Sequence, residues 1–256
     1  MTEHIKIEQQ DGVLEIIFSR PDKKNALTND MYRAAREALE SARHDKSIRA
    51  VLIGAEGNAF TAGNDLGDFA NVSSGKGGEP QAGPFIQTIG QFEKPIVAAV
   101  PGIAVGVGTT MLLHCDLVYV ADTAKLSAPF VNLALVPEAA SSMLMPARIG
   151  YVKAFAAFAL GESISGTEAV ALGLANKALP LDEVLPAARS AAQTLAKKPA
   201  GSLVATKKLM RDAETILARM KQESAIFGER LKSDEAREAF SAFAERRQPD
   251  FTKFTS

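Results

Sequence analysis

One cysteine in 256 residues, Cys115, removes any intrachain disulfide and fits a reducing compartment. Only three histidines are present, His4, His44 and His114, too scattered for any metal-ligand spacing. His114, next to Cys115, reads as the residue at a helix end rather than as a ligand or base. Excess charge is missing too: 29 basic against 30 acidic side chains leave a net −1, which argues against a general nucleic-acid or anionic-membrane surface and leaves room only for a local basic pocket. The apolar run from Pro95 to Val105 is too short and too rich in glycine to span a bilayer. Met1-Thr2-Glu3-His4 has neither the basic nor the apolar region of a secretory signal, and Phe254-Thr255-Ser256 is not a peroxisomal or retention address. The expectation is a cytoplasmic protein without metal. At 46% hydrophobic and 23% charged residues the chain can fill a core, as one large domain or a domain with an appendage.

Ile5–Gln10 and Val13–Ser19 are rich in β-formers and separated by Asp11-Gly12, a hairpin signal. Thr28 precedes a helical pattern carried by Met31, Ala35, Leu39 and Ala42. Ala50–Gly54, Ile96–Val100 and Leu117–Ala121 are short apolar runs of the kind found in strands covered on both faces. Strand, glycine turn and helix alternate, which predicts an α/β fold. The run 73–80 reads as a loop inserted into this pattern. From Asp182 onward strand signals vanish, and the spacing predicts helices over 182–197, 199–212, 215–231 and 233–246, amphipathic and packed against another surface.

Three features carry chemistry. Ala62-Gly63-Asn64-Asp65-Leu66 follows an apolar strand; Gly63 allows a backbone closed to other residues, and Asp65 is placed to cap the next short helix. Pro101 to Thr110 also leads from a strand into a helix, expected over 109–114, with Gly102, Gly106 and Gly108 clearing side chains from its start. Its spacing is neither a P-loop nor a dinucleotide fingerprint. Third, Glu138 lies between the apolar stretches 132–137 and 143–147. Burial raises a carboxyl's pKa and makes it a base poised nearer neutrality. Each feature has a plain alternative: the glycines as tight turns, Glu138 as the cap of a helix starting at Ala139. Together, two strand-to-helix turns and a lone acid point to a base facing an oxyanion hole.

Phe60 to Leu66, Lys94 to Val100, Gly102 to Asp116 and Leu172-Gly173-Leu174-Ala175 resemble the enoyl-CoA hydratase/isomerase (crotonase) superfamily, from about Val13 to the C-terminus. The resemblance implies a spiral of ββα units over 1–195, a helical trimerisation part over 196–256, and an acyl-CoA thioester as partner. Coenzyme A would enter as part of the substrate, and no other cofactor is implied. The two glutamates of the hydratase pattern fall, in register, at Thr110 and Phe130, which cannot activate water. The segment Ala128 to Ser142 is instead similar to peroxisomal-type Δ3,Δ2-enoyl-CoA isomerases, whose single catalytic glutamate corresponds to Glu138. By the same resemblance the backbone N–H groups of Asn64 and Val107 form the oxyanion hole. Ala26, Ala62, Gly63, Asp65, Leu66, Gly106, Thr110 and Phe130 would line the substrate and CoA site, the adenine end lying near Ala62 and the turn 23–26. Arg246 and Arg247 are candidates for the CoA phosphates or are solvated surface charge. Another crotonase-type isomerase, for example one of aromatic degradation, and a non-catalytic acyl-CoA-binding module are the alternatives. The apolar residues of the last helices (Leu203, Leu209, Met210, Ile216, Leu217, Ile226, Phe227) are expected to drive a homotrimer or a dimer of trimers.

Overall fold

Two successive left-handed residues, Asp11 (φ 52°) and Gly12 (φ 79°), form the tight turn expected between the first two strands. The computed structural model describes residues 2–68 and 78–254. Residues 73–77 of the expected loop lie outside the described residues. β1 (Ile5–Gln10) pairs antiparallel with β2 (Val13–Phe18), and β3 (Ala50–Ala55), β5 (Ile96–Val100), β7 (Leu117–Ala121) and β10 (Lys177–Leu179) continue the sheet in parallel. A second sheet holds β4 (Ala59–Thr61), β6 (Ile103–Val105), β8 (Lys125–Ser127) and β9 (Ile164–Ser165). β3, β5 and β7 lie in the first sheet and their immediate successors β4, β6 and β8 in the second. Each turn of the chain therefore places one strand in each sheet before a helical segment follows, which is a spiral of ββα units.

Every residue of β3 and β5 is buried, which explains their unbroken apolar sequences. The helix Leu181–Ala196 lies across β3, β5 and β7, and Arg189 ties it to β2 through a two-pronged pair with Glu15 at 2.6 and 2.8 Å. The joint between β5 and β6 passes so close to the preceding layer that a Cβ on Gly102 would sit 1.9 Å from the Asn58 carbonyl oxygen. Gly102 thus lets two chain segments cross, and Gly108 abuts the Thr61 methyl in the same way. This differs from the expectation that both clear space at a helix start.

Thr28 caps the helix Asn29–His44 by accepting from the Met31 N–H at 3.3 Å. The tail folds into helices Leu181–Ala196, Ala200–Met210, Ala213–Leu231 and Asp234–Ala244, the last two capped by Asp212 and Ser233. Not all of the tail's apolar residues face outward. Ile216 and Met220 are buried in this chain, whereas Leu209 and Met210 are 90% and 82% exposed. The helix Ala213–Leu231 packs on the helix Ala82–Gly90, and Asp234–Ala244 packs on the short turn Val131–Leu133. That second contact brings the end of the chain over the β6 and β8 strand ends.

Candidate active site

The first wall of the site is the segment after β4. A turn through Lys24 (φ 50°) and Asn25 (φ 53°) runs beside it: the Ala62 N–H donates to Lys24 O (2.9 Å), Leu27 N–H to Gly63 O (2.8 Å) and Asp65 N–H to Leu27 O (2.9 Å). Gly63 adopts φ 89° with the Val105 carbonyl oxygen 3.0 Å from where a Cβ would stand, so a side chain is excluded on two counts. Gly63 O and Asp65 N point at Leu27, and alternation along the chain turns the Asn64 N–H the other way. The Asn64 side chain is held by the Tyr32 hydroxyl, which donates to its Oδ1.

The second wall is the start of the helix after β6. Gly106 (φ 56°, ψ −118°) ends the strand abruptly, so the helix begins at Val107, two residues earlier than its sequence pattern predicts. Gly106 O accepts from Thr109 and Thr110, and the Val107 N–H is among the first-turn donors that no helical carbonyl can reach. Asn64 and Val107 both line one cavity of about 390 Å³.

Glu138 lines the same cavity, with Phe130 and Leu135 beside it. Its Oε1 accepts from the Thr110 hydroxyl at 3.0 Å. Burial pushes the carboxyl up to about 7, the Thr110 hydrogen bond opposes that, and the negative charge of Glu223 adds to it. Tyr32 is pushed above its ordinary value by burial and then by the charge of Glu138. A carboxyl that is half ionised near neutrality and walled by apolar groups is equipped to accept a proton from carbon.

Glu138 does not cap the following helix. That helix begins at Ser141, because Ala139 (φ 60°) and Ala140 (φ 56°) are both left-handed. Such a backbone costs roughly 1–2 kcal/mol per non-glycine residue. Three contacts hold it. Glu223, on Ala213–Leu231 and 5% exposed, accepts from Ala140 N–H through Oε2 (2.5 Å) and from Ser142 N–H through Oε1 (2.9 Å). His114 is the third: an arginine only donates, so His114 Nδ1 accepts from Arg211 and Nε2–H donates to Ala139 O at 2.8 Å. Burial and the nearby cations lower His114 to about 3, keeping it neutral, and burial pushes the Cys115 thiol up to about 12.

Of the residues singled out in the sequence, Ala62, Gly63, Asn64, Leu66, Gly106, Val107, Phe130 and Glu138 meet at the cavity. Thr110 stands behind Glu138. Asp65 instead pairs with Arg20 at 2.7 Å and accepts from the Asp68 N–H, a cap for the turn that starts at Leu66. Ala26 lies outside the cavity, its carbonyl accepting from Arg20 at 3.2 Å. Arg247 reaches the cavity but is already paired with Glu238 and Glu245, while Arg246 is exposed and does not line it. Sequence reasoning missed the roof: Phe227, Ala239, Phe240, Phe243 and Pro249, from the last two helices and the segment beyond. It also missed Glu223. The signal was an acid inside the inward stripe Ile216, Met220, Glu223, Phe227. Among the described residues no group of His, Cys, Asp and Glu could hold a metal, and no helix is long and apolar enough to cross a membrane.

The model of the family described as enoyl-CoA hydratase/isomerase matches residues 8–254. The chain belongs to the enoyl-CoA hydratase/isomerase family. It is 34% identical over 250 residues to enoyl-CoA delta isomerase 2 of Rattus norvegicus, covering 95% of this chain and 64% of that protein. The chain thus spans less than two thirds of the length of that relative. It is 31% identical over 250 residues to a probable enoyl-CoA hydratase of Bacillus subtilis, covering 94% and 96% of the two chains. The crystal structure of an enoyl-CoA hydratase/isomerase from Pseudoalteromonas atlantica T6c superposes with a TM-score of 0.92 at 40% identity, covering 98% of this chain and 100% of that one. The ββα spiral is therefore the crotonase fold, and the family's members include both isomerases and hydratases by name.

Proposed function

We propose that this family member is a Δ3,Δ2-enoyl-CoA isomerase, converting a 3-enoyl-CoA thioester to the trans-2-enoyl-CoA in fatty acid degradation. The observation that carries the reading is that Glu138 is the only carboxylate lining the cavity among the described residues. Glu138 is raised to about 7, and by the family resemblance Thr110 and Phe130 stand in register with the two hydratase glutamates. The thioester oxygen accepts from the N–H groups of Asn64 and Val107. Glu138 removes a proton from C2, and the C–H electron pair flows into the carbonyl to give a dienolate that these donors stabilise. Glu138 then returns the proton to C4. The electrons on oxygen restore the carbonyl, and the remaining double bond lies between C2 and C3, in conjugation. One carboxylate serves as base and then as acid, with no net uptake of protons. Phe130, Leu135, Phe227 and Phe240 keep water from the dienolate.

The purified protein is expected to turn 3-enoyl-CoA into trans-2-enoyl-CoA and to hydrate trans-2-enoyl-CoA negligibly. Both are followed by absorbance of the conjugated thioester in one preparation. Hydration at a rate comparable with isomerisation sinks the proposal.

The pH dependence has a definite sign. Only the ionised carboxylate accepts a proton, so kcat/KM for isomerisation should climb tenfold per unit below about 7 and level off above it. An acid midpoint near 4.5, the ordinary glutamate value, would show that Glu138 is not buried as a base must be.

A homotrimer, or a pair of trimers, is supported by apolar side chains that this chain does not cover: Tyr151, Val152, Phe155 and Leu160 on one segment, Leu209 and Met210 on another. Light scattering at micromolar concentration is expected to give a trimeric or hexameric mass, and a monomer would refute it.

A further inference from the structure

We infer that Glu223 is a positioning residue for the base: its carboxylate holds the left-handed Ala139–Ala140 turn and thereby aims Glu138 into the cavity. This rests on the assignment of Glu138 as the base. The geometry is specific. Alanine favours the helix, and without an outside acceptor the N–H groups of Ala140 and Ser142 would be satisfied most simply by extending the helix Ser141–Ile149 back toward Pro137. That would carry Glu138 round the helix axis and away from Thr110. Glu223 prevents it by accepting from both N–H groups at once, one per oxygen, from a helix more than eighty residues further along the chain. An alcohol or amide side chain could not offer two acceptor oxygens at that spacing. His114 anchors the same turn from the opposite side through Ala139 O.

Glu223 also acts through its charge. Its negative charge adds to the rise of Glu138, so one group sets both the direction and the basicity of the other. The remaining groups about the pair are Thr110 and Tyr32 on the side of Glu138, and Arg219 and the Ser142 N–H on the side of Glu223. Burial raises Glu223 itself, and those hydrogen bonds oppose the rise.

The test compares Glu223→Gln, Glu223→Asp and Glu138→Gln with the wild-type enzyme, using kcat, KM, the acid midpoint of kcat/KM and the Kd of a saturated acyl-CoA. Glu223→Gln keeps size but sets an NH2 against one of the two N–H donors and removes the charge. Its kcat is expected to fall between about ten- and a hundredfold, as for a base displaced by about an ångström. Its KM and Kd should stay near wild type and its acid midpoint should move below about 7. Glu223→Asp keeps the charge and shortens the reach, so kcat falls while the midpoint stays. Wild-type kcat and midpoint in a folded Glu223→Gln protein overturn the inference. So does a loss of kcat matched by an equal loss of acyl-CoA binding with the midpoint unmoved, since that is structural damage alone. If Glu223→Gln does not fold, Glu223→Asp decides by kcat against KM and Kd: a fall in kcat alone supports the inference, and wild-type kcat or an equal loss of acyl-CoA binding overturns it. Wild-type kcat in Glu138→Gln would instead refute the assignment of the base, whatever Glu223 does.

Discussion

Glu138→Gln is expected to lower kcat for isomerisation by about 10²–10⁴-fold, roughly 3–5 kcal/mol of barrier, the usual worth of a positioned general base. The amide keeps the shape of the carboxyl, and its oxygen still accepts from Thr110, so the cavity should bind an acyl-CoA as before. The loss therefore belongs in kcat and not in Kd. A variant that retains more than about a tenth of wild-type kcat removes Glu138 from the chemistry. Stability should move the other way. The folded carboxyl binds its proton more tightly than the unfolded one, about 7 against 4.5, so the wild-type protein loses stability as pH rises between those values. Glu138→Gln abolishes that loss. Its thermal midpoint should exceed that of the wild type at pH 8 and match it near pH 4, as scanning calorimetry can show.

Val107→Pro should cost about 10²–10³-fold in kcat, the effect of deleting one donor from an oxyanion hole. Proline is suited to the first position of a helix, where its fixed φ fits and its missing N–H has no helical partner to lose. The preceding residue usually resists proline through its Cβ, but here it is Gly106, at φ 56° and ψ −118°. The substitution therefore removes a single hydrogen from the site and leaves an apolar side chain of similar size on its wall. Near-wild-type kcat, with the helix intact by circular dichroism, would mean that the carbonyl oxygen is stabilised elsewhere. If the thioester oxygen binds Val107 N–H only as charge develops, KM should change far less than kcat.

What the sequence announced was local chemistry. Asp11-Gly12 specifies its turn because both residues tolerate positive φ, and Thr28 specifies a helix start because its hydroxyl reaches a donor three residues on. Gly63 announced its turn for the same reason. Glu138 stood out as an acid inside an apolar run. The errors occur where a distant contact overrides local preference. Two alanines before a helix read as helix, yet Glu223 and His114 turn both into left-handed residues. The helix after β6 starts early because Gly106, still paired to Ser127 O, turns the chain at φ 56° and ψ −118°. Phe227 read as part of a surface awaiting a partner, and with Phe240 and Phe243, which carried no signal at all, it closes the cavity of its own chain. No spacing rule reveals that, because their partners lie on other turns of the spiral.

The clamp between Glu223 and Ala140 joins residues 83 apart, and the cavity wall draws on the chain from Ala62 to Pro249. A polypeptide emerging N-terminus first can complete β1 to β10 before the helices that finish the site exist outside the ribosome. Until Ala213–Leu231 docks, the turn that aims the base has no acceptor for its N–H groups and the cavity has no roof. On the proposed mechanism, a chain in which those helices have not docked is expected to be inactive. Activity, on the proposed mechanism, therefore reports that Ala213–Leu231 and Asp234–Ala244 are seated.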